Sequence, residues 1–440
     1  MEQLISNIAS WLWSWPMMIL LVGTHLYLTI RLRCPQRHIL KAIKMSVHPD
    51  NGAQGDVSQF ASLATSLSAT IGTGNIIGVA TAVCLGGPGA VFWCWFVGIL
   101  GIATKYGEGL LAVKYRVRTK TGTMLGGPMY ALERGMGQKW LAVLFCVFCA
   151  IATFGIGNMV QANAIVTTLT SNYGINSGLI CAIITGLLAL VLLGGVKSIS
   201  RVCTAMLPFM AALYLMGCFY LLWISSDFVW PAIKTIVACA FSNSAIGGGF
   251  AGATVIMALR FGVARGLFSN ESGLGSAPII AAAAKTHNHV RQALVSSTAT
   301  FWDTVVICAI TGVTLVSSML HYPELAADTN GGTLTIRTFN IIGSWGEIIL
   351  SVSIVAFAFS TLVGWSYYGE RCMEYLGGKR TIVPYRVVYI LTAIIGCNAQ
   401  LTVVWNFSDM FNALMEIPNL ISLLFLSKVI VDETRKHGYL

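Results

Sequence analysis

The chain has 440 residues, of which 56% are hydrophobic and only 10% charged. A soluble domain carries about 25% charged residues, so a water-soluble globule is excluded and lipid is the natural solvent. The formal net charge of +10 invites a nucleic-acid partner, but in a chain this apolar the basic residues belong in loops on one face of a membrane, where they set orientation.

A helix that crosses a bilayer needs about 20 mostly apolar residues, and eleven stretches qualify. In chain order they lie near Trp11–Ile30, Ser58–Cys84, Gly89–Val113, Trp140–Leu169, Gly178–Leu193 and Val202–Ile224. The others are near Ala240–Leu259, Leu294–Leu320, Trp345–Tyr367, Ile382–Ala399 and Trp405–Leu426. No basic flank or small-residue cleavage site marks the first of them as a secretory signal. The segment from Ala264 to His289 is less apolar and is expected at the cytoplasmic surface. Alternate loops collect 24 of the 27 Lys and Arg residues, against Lys234 and Arg337 on the other side and Lys105 within a span. An odd span number with this asymmetry puts the N-terminus outside and the C-terminus in the cytoplasm. Most of the 12 cysteines, Cys84, Cys94, Cys146, Cys149 and Cys308 among them, lie in apolar runs and read as small buried hydrophobes. Cys146 and Cys149 have no second ligand pair for zinc.

Two spans are interrupted. In the second, Thr70-Ile71-Gly72-Thr73-Gly74-Asn75 breaks an apolar run; in the seventh, Ala245-Ile246-Gly247-Gly248-Gly249-Phe250-Ala251-Gly252 does so. Each glycine weakens a helix by about 1 kcal/mol relative to alanine. A single cluster would suit tight helix packing. Two clusters, five spans apart, are the pattern of inverted repeats with a transport site at the bilayer midplane. The half-helix after a break presents backbone amides to a carboxylate, and the carbonyls before it face a cation.

Other polar residues sit within spans. Asn158 and Gln161, three apart, share a helix face, as do Thr361 and Trp365, four apart, beside Ser360. Hydroxyls can ligate a hard cation or bond back to the helix. Glu108, Asp303, Asp409 and Glu416 fall inside span limits, where each must face protein or water rather than lipid. Glu108 lies three residues from Lys105 and can pair with it; Asp303 and Glu416 can hold a cation, carry a proton or anchor helices. Glu271 is expected in the surface segment, as a gate residue or simply solvated. The few intramembrane polar groups do not make the continuous lining of a channel. The spans carry no nucleophile–base or metal constellation of an enzyme.

The stretches Ile71-Gly72-Thr73-Gly74-Asn75-Ile76, Gly126-Gly127-Pro128-Met129-Tyr130 and Gly157-Asn158 with Gln161 resemble those of the alanine or glycine:cation symporter family, the sodium:alanine symporters. So do Arg265-Gly266-Leu267-Phe268-Ser269-Asn270-Glu271-Ser272-Gly273, Gly275-Ser276-Ala277-Pro278 and Gly364-Trp365-Ser366-Tyr367-Tyr368-Gly369-Glu370. The resemblance runs over nearly the whole chain. It implies an all-α integral membrane protein with a leucine-transporter-like fold of two inverted five-helix repeats and one extra N-terminal helix. Residues 1–57 would form the extra helix and a basic loop, 58–225 the first repeat and 226–440 the second. It implies sodium-coupled symport of a small neutral amino acid, alanine or glycine, across a bacterial inner membrane. Proton coupling through Asp303 or Glu416, or a glutamine or serine cargo, are the alternatives. Amides near Thr73, Gly74 and Asn75 would hold the carboxylate, with Gln161, Gly248, Thr361 and Trp365 completing the pocket. Carbonyls near Ala69 and Gly72 with the hydroxyls of Ser360 and Thr361 would bind sodium, and Asp303 would serve a possible second cation. The sequence leaves the oligomeric state open.

Overall fold

The structure, a computed structural model, describes residues 11–13, 15–50, 52–120, 122–242, 254–399 and 401–439. Among them, helices dominate; a two-stranded antiparallel ribbon pairs Val117–Arg118 with Met124–Leu125. Six helices among the described residues are long and apolar enough to cross a membrane: Gly89–Lys114, Lys139–Tyr173, Gly195–Ile224, His289–His321, Ser344–Gly377 and Lys379–Asn398. Three bent pairs raise the number to nine, with the bends following Arg31, Thr70 and Phe425. Ser177–Leu193 is apolar but shorter. The expected seventh span falls largely on residues outside those described, together with its glycine run and Gly248.

The spans divide by burial. Gly89–Lys114 is almost enclosed and packs along Val255–Asn270 and His289–Thr300. Gly195–Ile224 and Lys379–Asn398 instead turn Phe209, Phe219, Trp223, Val383, Leu391 and Ile395 outward. An exposed apolar belt of this kind is a lipid-facing surface.

The second span starts at Ser58, whose hydroxyl accepts from the Ala61 amide (3.1 Å) and caps Gln59–Thr70. The helix stops at Ile71, which is extended (φ −72°, ψ 95°), and resumes as a π-helical stretch at Gly74–Gly78. The two halves are bent by 55°. Further π-helical stretches lie at Gly155–Met159 and Phe301–Cys308. These stretches hold Asn75, Asn158 and Asp303; π-bulges free carbonyls and recur at functional sites.

A second discontinuity differs from the sequence expectation. Helix Val255–Asn270 ends where Glu271 turns left-handed (φ 52°), and the chain runs through Gly273 (φ 102°) and Gly275 (φ 83°) before Ala277–Ala281. Every residue from Ser269 to Ala284 is buried. Most of the segment expected at the cytoplasmic surface is thus an interior break, while Lys285 and His287 beyond it are exposed. Its polar residues find partners inside the bundle, so their polarity does not demand water.

The two ends of the bundle also differ. At the basic-loop end, the Asp56 amide donates to Ala283 O (2.8 Å) and the Lys285 amide to Val57 O (2.7 Å). Arg116 Nη1 adds a bond to Ala284 O (2.8 Å). At the opposite end a cavity of about 510 Å3 opens between Ser171, Asn172, Gly332, Thr335 and Leu350. Arg265 lines it too, so Arg265 and Arg260 on the same helix do not belong with the basic loops. The reason is the break at Glu271–Ser276: these arginines lie on the half-helix before it.

Candidate substrate and cation site

At the first break the helix ends with carbonyls aimed at the ninth span. Thr361 Oγ1 donates towards Ser68 O (3.2 Å) and Ile71 O (3.4 Å). Ser360 Oγ donates towards Ser68 O (3.1 Å) and the Phe357 carbonyl of its own helix (2.9 Å). Two hydroxyls and at least two carbonyls therefore converge within the bundle, an all-oxygen set suited to a hard monovalent cation. The carbonyls touched are those of Ser68 and Ile71, each one residue before the expected Ala69 and Gly72. Gly72 is pinned here, since a Cβ would lie 2.9 Å from Thr361 Oγ1.

Beside this cluster is a cavity of about 20 Å3 lined by Ala69, Gly72, Gly74, Gln161, Thr361 and Trp365, with Ile156, Phe268, Ser269 and Glu271. It has room for about one water, so an amino acid needs side chains to move. Gln161 Nε2 donates to Ile156 O (3.0 Å) in the π-helical stretch, leaving its buried Oε1 without a partner among the described residues. Thr73 Oγ1 is likewise buried and unpartnered, on the side of the larger cavity. Unmade buried hydrogen bonds cost about 1–3 kcal/mol each, so both atoms favour a polar guest. Gly157 allows Trp365 in: a Cβ there would lie 2.3 Å from the Trp365 Cβ.

Gly74 and Phe268 line both cavities. Phe268, packed on Trp405 with ring centroids 5.6 Å apart, is part of the partition between them. Arg265 and Asp409 face the larger cavity without pairing with each other.

Asn75 does not line either cavity. Its Oδ1 accepts from the Gly72 amide (3.0 Å), its own amide donates to Gly72 O (3.2 Å), and its Nδ2 donates to Asp303 Oδ1 (2.7 Å). Asp303 also accepts from Ser269 (2.9 Å) and Thr304 (2.7 Å). This cluster ties the second, seventh and eighth spans together behind the break. Asn158 Nδ2 reaches Tyr389 O (2.7 Å) as an interhelical bond.

The residue that sequence reasoning left at the surface is central. Glu271 Oε1 accepts from Trp365 Nε1 (3.1 Å), its Oε2 from Ser276 Oγ (2.6 Å), and its carbonyl from Lys105 Nζ (3.0 Å). Phe268 and Ser269 join it at the pocket. Their signal in the sequence was the pair of glycines, Gly273 and Gly275, just after a polar run.

Residues 1–439 match the family described as the sodium:alanine symporter family. The chain is 48% identical to the sodium/alanine symporter AgcS of Methanococcus maripaludis, over 98% of this chain and 96% of that protein. It is 34% identical to the probable sodium/glutamine symporter GlnT of Bacillus subtilis, over 98% of this chain and 90% of that one. Among solved structures, MhsT in complex with L-phenylalanine aligns with TM-score 0.58 at 14% identity, covering 86% of this chain and 98% of its own. A Na+-coupled sialic acid symporter in a substrate-bound outward-open state aligns with TM-score 0.54 at 12% identity, covering 95% and 84%. These likenesses give the fold, that of leucine-transporter-like carriers. The chain is a multi-pass membrane protein and belongs to the sodium:alanine symporter family, whose members are transporters and not enzymes.

Proposed function

We propose that this protein carries a small neutral amino acid, alanine or glycine, across the bacterial inner membrane together with sodium. The observation that carries this reading is the meeting of the Ser360 and Thr361 hydroxyls with the Ser68 and Ile71 carbonyls, next to the unpartnered Gln161 Oε1 and Thr73 Oγ1. Sodium held by that oxygen set orders the end of Gln59–Thr70. The ordered break then offers the Thr73 and Gly74 amides to a carboxylate. The 34% identical GlnT is named for glutamine; a cavity of about 20 Å3 walled by Trp365 favours the smaller side chains. Asp303, with Asn75 and Ser269 around it, is a second place for a cation.

The cycle is alternating access around this site. Eleven spans, with repeats over 58–225 and 226–440, an external N-terminus and a cytoplasmic C-terminus, make the cavity of about 510 Å3 the outer vestibule and the Arg116 lattice the closed inner gate. Phe268 is then the last barrier before the pocket, and pairing of Arg265 with Asp409 closes the vestibule above it.

The test is uptake of radiolabelled alanine by proteoliposomes with and without an inward sodium gradient, at matched pH and membrane potential. Sodium-dependent accumulation is expected. Accumulation driven by a proton gradient alone overturns the coupling, and failure to take up alanine or glycine overturns the cargo.

A further inference from the structure

Trp365 is the bulkiest residue that lines the small cavity. Its Cβ sits against Gly157, and Tyr368 meets its ring edge-on with centroids 5.6 Å apart. Apolar contacts of this kind are non-directional. The directional one is the bond from Trp365 Nε1 to Glu271 Oε1 (3.1 Å), made where Trp365 is 1% and Glu271 4% exposed. A buried indole N–H calls for such a partner, and this one fixes which way the ring faces.

Glu271 is held in its turn. Its amide donates to Leu267 O (3.2 Å), its carbonyl accepts from Lys105 Nζ (3.0 Å), and its Oε2 accepts from Ser276 Oγ (2.6 Å). The chain just beyond is pinned as well. Glu108 Oε1 accepts from the Gly273 amide (3.1 Å), the Gly275 amide (3.0 Å) and Asn419 Nδ2 (2.7 Å), and Asn419 Nδ2 also reaches Gly273 O (2.7 Å). Lys105 and Glu108 stand three apart on the nearly enclosed helix Gly89–Lys114. Lys105, Glu108 and Ser276 do not line the cavity; they reach it through Glu271.

The cavity of about 20 Å3 holds about one water, so a guest enters by moving walls. Which walls can move decides which guests enter. In a fitted pocket one methylene is worth about 10–200-fold in discrimination, provided that the wall it meets does not yield.

We infer that Glu271 sets the size of the cargo: by holding the Trp365 indole N–H it makes that ring a fixed wall, anchored through Ser276 and Lys105 to the second break. The inference rests on the reading of this cavity as the amino-acid site. Glu271 is a positioning residue that acts on cargo through Trp365. Its side chain also lines the cavity, so the bond has to be separated from the bulk. Glu271→Gln keeps the shape and an oxygen acceptor, whereas Glu271→Met keeps similar bulk and has no oxygen.

Uptake of glycine, alanine, serine, glutamine and leucine by proteoliposomes tests this, each driven by the same ion gradient and each read as kcat/KM. Ratios between members of the panel do not depend on how much protein is folded, so a merely structural role lowers all of them together and leaves the ratios alone. The unmutated protein is expected to favour the smallest members. In Glu271→Met the preference for alanine over leucine should fall by about tenfold or more, while in Glu271→Gln it stays within about twofold of the unmutated value. Ser276→Ala, which changes no cavity wall, should lower it by several-fold through a looser Glu271. It decides the matter if Glu271→Met yields no folded carrier. Ratios unchanged in Glu271→Met or in Ser276→Ala overturn this inference alone, as does an equal loss in Glu271→Gln and Glu271→Met. Uptake of no member of the panel by the unmutated protein overturns the reading of the site, and this inference with it.

Discussion

The two breaks solve the same problem by opposite means. At the first, Ile71–Thr73, the loose ends meet neutral groups: the hydroxyls of Ser360 and Thr361 and the amide of Asn75. Gln161 and Thr73 beside it keep polar atoms unpartnered. At the second, Glu271–Ser276, the loose ends meet a carboxylate and an ammonium, Glu108 and Lys105. Charged hydrogen bonds are worth roughly twice neutral ones. The first break is therefore the one that a guest can reorganise, and the second is the fixed wall it works against. Trp365, donating to Glu271, transmits that wall to the pocket.

The largest way to break this contrast is Glu108→Ala. It strands the amides of Gly273 and Gly275 and the Asn419 side chain, at about 1–3 kcal/mol for each buried group left unsatisfied. The expected result is loss of a monodisperse folded carrier, read by thermal unfolding in detergent, with sodium or alanine failing to restore it. A protein of unchanged midpoint would mean that the second break is not held by Glu108.

Thr361→Ala acts on the first break instead. It removes a hydroxyl from the cation set, and a bond to a charged group is worth about 1.5–3 kcal/mol. The sodium concentration for half-maximal uptake should rise by about tenfold or more, with unfolding of the sodium-free protein little changed. Unchanged sodium activation removes the proposed cation site.

Gln161→Ala is the smallest of the three. It withdraws one neutral acceptor from the pocket, worth about 0.5–1.5 kcal/mol, so alanine affinity should fall by several-fold while sodium activation holds. Alanine binding like that of the unmutated protein would take Gln161 out of the site.

The contrast also sets what the sequence could reveal. The first break was legible because Gly72, Gly74 and Asn75 interrupt an apolar run, and a lipid-facing helix has no use for them. Ser360 and Thr361 were matched to it only by what the family resemblance implies, since a mid-span hydroxyl can equally bond back to its own helix. Asn75 was expected to offer its amide to substrate; in the structure that amide bonds Gly72 O and the side chain turns to Asp303. The break at Glu271–Ser276 was missed because Ser269-Asn270-Glu271-Ser272-Gly273 has the composition of a surface loop. What makes it interior is Lys105, Glu108, Trp365 and Asn419, from three other spans. Periodicity sees neighbours a turn away and not partners far along the chain. The lipid-facing spans, whose demands are local, read directly from apolar length.

The central claim is that cation and substrate meet at the first break, and binding tests it most directly. Labelled alanine binding to the purified protein would be measured across a sodium series, and sodium affinity across an alanine series. Linkage requires the two to shift by the same factor. The account predicts equal enhancement in the unmutated protein and its loss in Thr361→Ala. Alanine affinity independent of sodium, or full coupling retained in Thr361→Ala, would contradict it.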